Sequence, residues 1–565
     1  MFTQQTIAGH SKARVIWEDI MKGLMQDWPL LVHRVLDHAA RWHGEREIVS
    51  RTVEGTIHRE TYRDLDMRSR RLASAAKKAL KAKKGSVFAT LAWNGYRHME
   101  IWYGLMGLGT IVHTLNPRLF ADQLIYIINH ADDEWIFTDL TFLPLLEKLQ
   151  DKLPRVKGYI VMTDRAHMPA ETSLSNVLCY EELLAEGDAG FVWPKFDENT
   201  ACGLCYTSGT TGNPKGVLYS HRSNVLHAMT ISGADALAIH SCDTIMPVVP
   251  MFHANAWSLA FSCPMSGAGM VMPGAKLDGA SVYELLVTER VTMTAAVPTV
   301  WLMLLQYLEQ NPALKLPDLN RVVIGGSSCP EALMKAFVEK YDTDVVHAWG
   351  MTEMSPLGTM SRLKGSMLDL PAEDKWRKRL KQGRPAFGID MKITDDENQS
   401  LAHDGQVFGR LKVKGPAISG GYYKGEGQSA FDEEGWFDTG DVANIDAWGF
   451  MQITDRSKDV IKSGGEWISS IDLENAALGC AGVAEAAAIG LPHAKWDERP
   501  LLVVVKKPGE EVTREQILSH MNGKIAKWWM PDDVAFVDEI PHTATGKISK
   551  LTLRERFKDY RLPAT

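Results

Sequence analysis

The chain of 565 residues has no excess of positive charge: 62 Lys and Arg stand against 70 Asp and Glu, a formal net charge of −8. Holding nucleic acid along its phosphates needs the opposite balance, so a nucleic-acid partner is excluded, while one nucleotide in a locally basic site is not. Cysteine is scarce as well, with seven residues scattered from Cys179 to Cys480. An odd, dispersed set gives no disulfide framework, and a reduced, cytoplasmic chain is the expectation. Cys202 and Cys205 have redox spacing. No second pair completes a zinc site, so they read as buried strand thiols. No long apolar run is present either. The uncharged stretch 252–275 contains Asn255, two prolines and three serines, which makes it a poor membrane span and leaves no transmembrane segment expected. Residues 1–22 scatter their charges without an apolar region, so no signal peptide is expected, and the final Pro-Ala-Thr is no peroxisomal tripeptide. Internal repeats and low-complexity segments are absent.

What is there fits a soluble globular protein, with 45% hydrophobic and 23% charged residues and a length that suggests two to four domains. Strand and helix patterns alternate from residue 87 to 149 and again from 282 to 324, the rhythm of parallel α/β sheets. From 389 to 453 short β-prone runs are broken by Gly and Asp, as in a small β-barrel or antiparallel sheet. A polar stretch at 455–459 reads as a linker. Beyond it, residues 471–478 and 515–527 read as helices and 483–489 and 501–505 as strands, enough for a separate α+β domain. The fold class expected is therefore α/β: a large N-terminal domain of stacked α/β sheets with a small β-barrel-like part, then a small α+β C-terminal domain. The basic run 375–381 reads as a solvated helix face.

The chemistry starts at residues 206–216, Tyr-Thr-Ser-Gly-Thr-Thr-Gly-Asn-Pro-Lys-Gly. Glycines bring backbone N–H groups close to a ligand, hydroxyls add donors, and a lysine adds a compact positive charge, so the loop suits polyphosphate. A flexible surface turn is the plain alternative. It is not a Walker A loop, because Lys215 precedes Gly216 rather than Ser or Thr. Gly325, Gly326 and Ser327 close a strand and would let a flat base lie against the backbone. Trp349 offers an aromatic platform or a core ring, Thr352 a hydroxyl for phosphate, and Glu353 a hard carboxylate for Mg²⁺. Asp441 sits at a turn, where its carboxylate could take both ribose hydroxyls. Lys547 stands alone on a glycine-containing loop.

Taken together, the segments 206–216, 250–257, 325–327, 349–353, 436–441, 455–468 and 543–548 resemble, in order and approximate spacing, the adenylate-forming superfamily of acyl-CoA synthetases, nonribosomal adenylation domains and firefly luciferase. The likeness covers essentially the whole chain. The forms Pro-Met-Phe-His-Ala-Asn-Ala-Trp at 250–257 and Gly-Gly-Glu-Trp-Ile at 464–468 look like the medium- and long-chain fatty acyl-CoA synthetases.

The resemblance implies an N-terminal adenylation domain over 1–455, a mobile C-terminal domain over 456–565, and a hinge at Lys458. It implies ATP, Mg²⁺ and CoA as co-substrates or cofactors, with a small carboxylic acid as the partner to be activated. By motif position Thr207, Ser208, Gly209, Thr210, Thr211, Gly212 and Lys215 would hold the β- and γ-phosphates. Gly325, Gly326, Ser327, Trp349 and Gly350 would hold adenine; Asp441 and Arg456 the ribose; Thr352 a phosphate; Glu353 the metal. Lys547 would bridge carboxylate and α-phosphate. Gly464, Gly465, Glu466 and Trp467 would line the thiol path after rotation about Lys458, and His253 and Trp257 the acyl channel. His542 stands where many relatives carry Lys or Arg. Many fatty-acid members are homodimers, so the resemblance allows a homodimer. The fatty-acid ligase is one reading. A ligase for a short functionalised acid such as 3-(methylthio)propionate, a nonenzymatic nucleotide-binding protein of the same fold, a carrier-protein adenylation module and an oxygenase are the others.

Overall fold

The computed structural model describes residues 23–563 apart from 208–212, 457, 465, 494 and 543–547. Two large sheets dominate it. The seven-stranded sheet runs Val177–Cys179, Tyr159–Val161, Trp135–Thr138, Val87–Leu91, Ile111–Thr114, Ala201–Tyr206, Gly216–Ser220 from edge to edge, and is parallel except for its final hairpin. The nine-stranded sheet has a parallel centre from Asp344–Gly350 through Arg321–Ile324, Met293–Ala296, Thr244–Pro247 and Gly269–Met272 to Glu47–Arg51, with antiparallel strands at both edges. The largest core lies between the sheets. Phe88 and Phe137 of one face Met270 and Val323 of the other across the helices Val32–Trp42, Tyr62–Lys78, Tyr96–Gly107 and Leu259–Ser266. Alternate residues of the same strands, such as Val87 and Ala89, point the other way into a second core, as a period of two requires.

The stretch 389–453, expected as a barrel or an antiparallel sheet, belongs to an open four-stranded antiparallel sheet that ends in Phe437–Ile445 and Met451–Arg456. A smaller C-terminal domain follows. Its five strands are built around the long pair Val483–His493 and Asp497–Lys506, and its core is separate. The α/β reading of the sequence thus holds. Three local readings need correction. The helix expected to reach residue 527 stops at Met521, because Gly523 takes φ +78° and the chain turns. The basic run is a helix, Ala372–Leu380, but only in part a solvated face: Arg377 is exposed, whereas Lys378 and Lys381 reach Asp446 at 2.5 and 3.0 Å, and Arg379 pairs with Asp344. The linker expected at 455–459 begins inside a strand with Asp455 buried. Cys202 and Cys205 are buried strand thiols, as read, and all seven cysteines are free. Among the described residues no helix is long and apolar enough to cross a membrane.

Between the sheets Arg68 meets two buried carboxyls, Glu100 at 2.6 Å and Glu60 at 3.8 Å. Burial pushes both carboxyls well above their usual range, with Arg68 opposing. A raised folded-state pKa means stability that is complete below the unfolded value and is lost as pH rises through the folded one. Glu60→Gln removes that loss at its source. The melting temperature of the variant relative to the parent should therefore climb by about 2–4 °C between pH 5.5 and pH 9. A difference that stays flat across that range in calorimetry would contradict the assignment.

Candidate active site

The phosphate-loop candidate is the connection of a hairpin. Tyr206 pairs with Gly216 across antiparallel strands, so Thr207 and Lys215 leave the sheet edge side by side. Thr207 N donates to Lys215 O at 2.9 Å, and Lys215 N donates to the Thr207 hydroxyl at 3.1 Å. Below it the Tyr206 hydroxyl meets His130 Nδ1 at 2.7 Å. The second strand runs into a helix, His221–Ser232, whose start is fixed by reciprocal Ser220 and Ser223 hydrogen bonds. Ser208, Gly209, Thr210, Thr211 and Gly212 lie outside the described residues.

The second piece comes from the nine-stranded sheet. Arg321–Ile324 and Asp344–Gly350 are parallel neighbours, so Gly325, Gly326 and Ser327 emerge beside Trp349 at the carboxyl ends of the strands, where open α/β sheets bind ligands. Gly326 and Ser327 are exposed. Trp349 is not: its indole is buried and donates its N–H to Asp441 Oδ2 at 3.0 Å. The other oxygen of Asp441 meets Arg456 Nε at 2.8 Å. The indole therefore aims the carboxylate, a role that the sequence reading did not give it. At Gly350 the chain passes so close to the next strand that a Cβ would fall 2.0 Å from Pro356 O. The glycine lets the backbone double back and present Thr352 and Glu353.

Two tyrosines outside every motif read from the sequence tie these pieces together. Tyr219, on the far strand of the phosphate hairpin, donates its hydroxyl to Thr352 O at 2.6 Å. Tyr422 donates to Glu353 Oε1 at 2.6 Å, and Lys215 Nζ stands 5.1 Å above its ring centroid. The hairpin strand, the carboxylate and Tyr422 thus border a cavity of about 430 Å³, lined by Glu353, Tyr219, Ser223, Ser419 and Tyr422. Burial raises the Glu353 carboxyl, and the Tyr422 phenol opposes the shift by donating to the charged form. The run Gly420-Gly421-Tyr422-Tyr423 was the available signal for the second tyrosine. Tyr219, in an ordinary apolar strand, gave none.

The AMP-binding enzyme profile matches residues 36–423, and that of the AMP-binding enzyme C-terminal domain matches residues 472–547. The chain belongs to the AMP-binding enzyme family. A 3-methylmercaptopropionyl-CoA ligase of Ruegeria lacuscaerulensis is 49% identical over 539 residues, covering 95% of this chain and 99% of the relative. A medium-chain-fatty-acid–CoA ligase of Ectopseudomonas oleovorans is 45% identical over the same length, covering 95% and 98%. Among solved structures, an anthranilate CoA ligase in complex with anthranoyl-AMP superposes with a TM-score of 0.83 at 24% identity, over 94% of this chain and 98% of that one, a likeness of fold.

In this AMP-binding enzyme the acyl-channel candidates adjoin the adenine candidates. Trp257 is buried with its ring against Gly325, where a Cβ would stand 3.2 Å from the indole. It lies within five consecutive residues, Ala254 to Ser258, whose φ values run from 46° to 67°. Left-handed backbone costs about 1–2 kcal/mol per non-glycine residue, and such strain concentrates at binding sites. His253, half-buried, directly precedes the run.

The remaining candidates sit on the smaller domain. Gly464 takes φ +60° between two indoles, with Trp496 and Trp528 only 3.1 and 3.4 Å from where its Cβ would be. Arg499 fixes that surface by reaching Asp532 at 2.7 Å and Trp528 O at 2.9 Å. Trp467 is half-buried on the strand Glu466–Ile468, and Lys458 is exposed. Gly465 and Lys547 lie outside the described residues. His542 pairs with Glu485 at 2.6 Å, within its own domain. For Mg²⁺ the donor set fits an ion that arrives with its phosphates. Glu353 supplies one buried hard carboxylate beside the cavity, and among the described residues no group of three His, Cys, Asp or Glu could cage a metal.

Proposed function

We propose that the protein is an AMP-forming acid:CoA ligase acting on fatty or fatty-like acids. The observation that carries this reading is the chain of contacts from Lys215 through Tyr422 and Glu353 to Tyr219, set four residues from the Trp349–Asp441–Arg456 group. A nucleotide would set its phosphates at one end of this arrangement and its ribose at the other. A carboxylate oxygen attacks the α-phosphorus of ATP and pyrophosphate leaves, giving an acyl-adenylate. The CoA sulfur then attacks the acyl carbonyl, and AMP leaves. A free carboxylate is a poor electrophile, and AMP turns it into a good one. Negative charge grows around phosphorus in the first step, where Lys547, Lys215 and loop N–H groups would stabilise it. Glu353 would hold Mg²⁺, which would neutralise phosphate oxygens. Asp441 and Arg456 would orient the ribose.

In this reading the smaller domain, beginning near residue 456, rotates about Lys458 between the half-reactions. That motion withdraws Lys547, brings 464–467 to the thiol path and keeps water from the adenylate. His253 and Trp257 line the acyl channel.

A second reading, a ligase for a short thioether acid, is favoured by the 49% identity to the methylmercaptopropionyl relative. Comparing kcat/KM for 3-(methylthio)propionate, butyrate, octanoate and decanoate decides between them. Each methylene in an apolar channel is worth about 1–3 kcal/mol. The fatty-acid reading expects a rise toward the longer acids; a steep fall would establish the short acid instead.

A further inference from the structure

Three residues past Lys547 lies a buried ammonium that the proposed chemistry does not use. Lys550 opens the helix Lys550–Arg556, and its Nζ reaches Glu474 at 2.7 Å and the Ser470 hydroxyl. Ser470 is the first residue of another helix of the smaller domain, Ser470–Leu478. Its N–H donates to Asp455 Oδ2 at 2.6 Å. The preceding Ser469 caps the same helix through Asp472 N at 3.1 Å and also donates its hydroxyl to Thr454 O. A carboxylate at a helix N-terminus is favoured by the helix dipole and the unpaired N–H groups there. A buried ammonium between carboxylates is favoured for the same electrostatic reason.

What matters is which side of the hinge each group occupies. Thr454 and Asp455 lie near the end of a strand of the larger domain's antiparallel sheet, Met451–Arg456, before Lys458. Ser469, Ser470, Glu474 and Lys550 all follow it. Asp459, just past the hinge, is tied to the same terminal helix by Arg554 at 2.9 Å. The base of the Lys547 loop is joined to that helix in turn, since Ser549 N donates to Pro541 O at 2.8 Å and His542 bridges Ile548. Helix Lys550–Arg556 and helix Ser470–Leu478 are thus tied to each other through Lys550, and the hydrogen bonds to Asp455 and Thr454 cross the hinge, so a rotation about Lys458 would have to break them.

We propose that Asp455 and Lys550, meeting on Ser470, form a latch across the hinge that holds one of the two domain orientations. This rests on the two-step reading above. Both are positioning residues, acting through Ser470 rather than on substrate.

The test uses the full-length protein with Asp455→Asn, which keeps the shape, and Lys550→Met. Adenylation (pyrophosphate release with saturating acid) and thioester formation (from supplied acyl-AMP and CoA) are measured separately. The latch predicts that each variant changes the ratio of the two rates by about 5- to 100-fold, slowing one half-reaction and sparing the other. It also predicts faster amide hydrogen exchange across 466–473 in nucleotide-free Asp455→Asn. Equal loss of both half-reactions, or an unchanged ratio in Asp455→Asn should Lys550→Met fail to fold, would overturn it. If the parent protein adenylates no acid, the functional reading has failed. The exchange measurement then decides the latch alone, and unchanged protection overturns it.

Discussion

Replacing Lys547 with alanine is expected to cut acyl-adenylate formation by about 10²–10³-fold while thioester formation from supplied acyl-adenylate largely survives. The asymmetry follows from the role assigned to the lysine. It is the one cation proposed to span the attacking carboxylate and the α-phosphorus, where charge develops in the first step only. An interaction made only in that transition state appears in kcat and in kcat/KM alike. The loop's base is held by the Ser549–Pro541 hydrogen bond and the His542–Ile548 bridge, neither of which involves the Lys547 side chain, so the fold should survive the change. Single-turnover measurement of each half-reaction checks it. Equal loss in both would mean that Lys547 does not leave the site between steps, and the rotation about Lys458 would lose its purpose.

Glu353→Gln should be nearly as severe. Glutamine keeps the volume and can still accept the Tyr422 hydrogen bond now made at 2.6 Å. It removes the buried negative charge proposed to hold Mg²⁺. We expect kcat/KM for adenylation to fall by about 10²-fold, with the Mg²⁺ concentration needed for half-maximal ATP binding rising in parallel. Stability should not fall, because a neutral amide is less costly than a buried carboxylate whose pKa burial has already raised. A variant that binds MgATP with unchanged Mg²⁺ dependence would take the metal away from Glu353.

The sequence revealed residues more readily than their partners. Short apolar strands alternating with helices made the parallel sheets legible from residue 87 onward, and the small α+β domain stood out because its pattern restarts after the 455–459 stretch. The arrangement of the site was legible only as a set of short motifs. Nothing local marks Trp349 as the donor to Asp441, because the two are 92 positions apart and meet only when the antiparallel sheet packs on the strand end. Tyr219 is indistinguishable in sequence from any core residue of a hairpin. The basic helix was read only in part for a related reason. Its neutralising carboxylates, Asp344 and Asp446, come from other elements, and local charge counting does not see them. Asp455 looked like linker for the same reason: its partner Ser470 lies beyond a hairpin.

The central claim, that the acid is activated as an adenylate, can be tested by following its oxygen. With a carboxylate carrying ¹⁸O at both positions, ATP and CoA, the account predicts that each AMP released carries one ¹⁸O. The carboxylate oxygen that attacked the α-phosphorus leaves with AMP when sulfur displaces it. Mass spectrometry of the AMP reads this directly. Unlabelled AMP, or label appearing in phosphate or pyrophosphate, would contradict it.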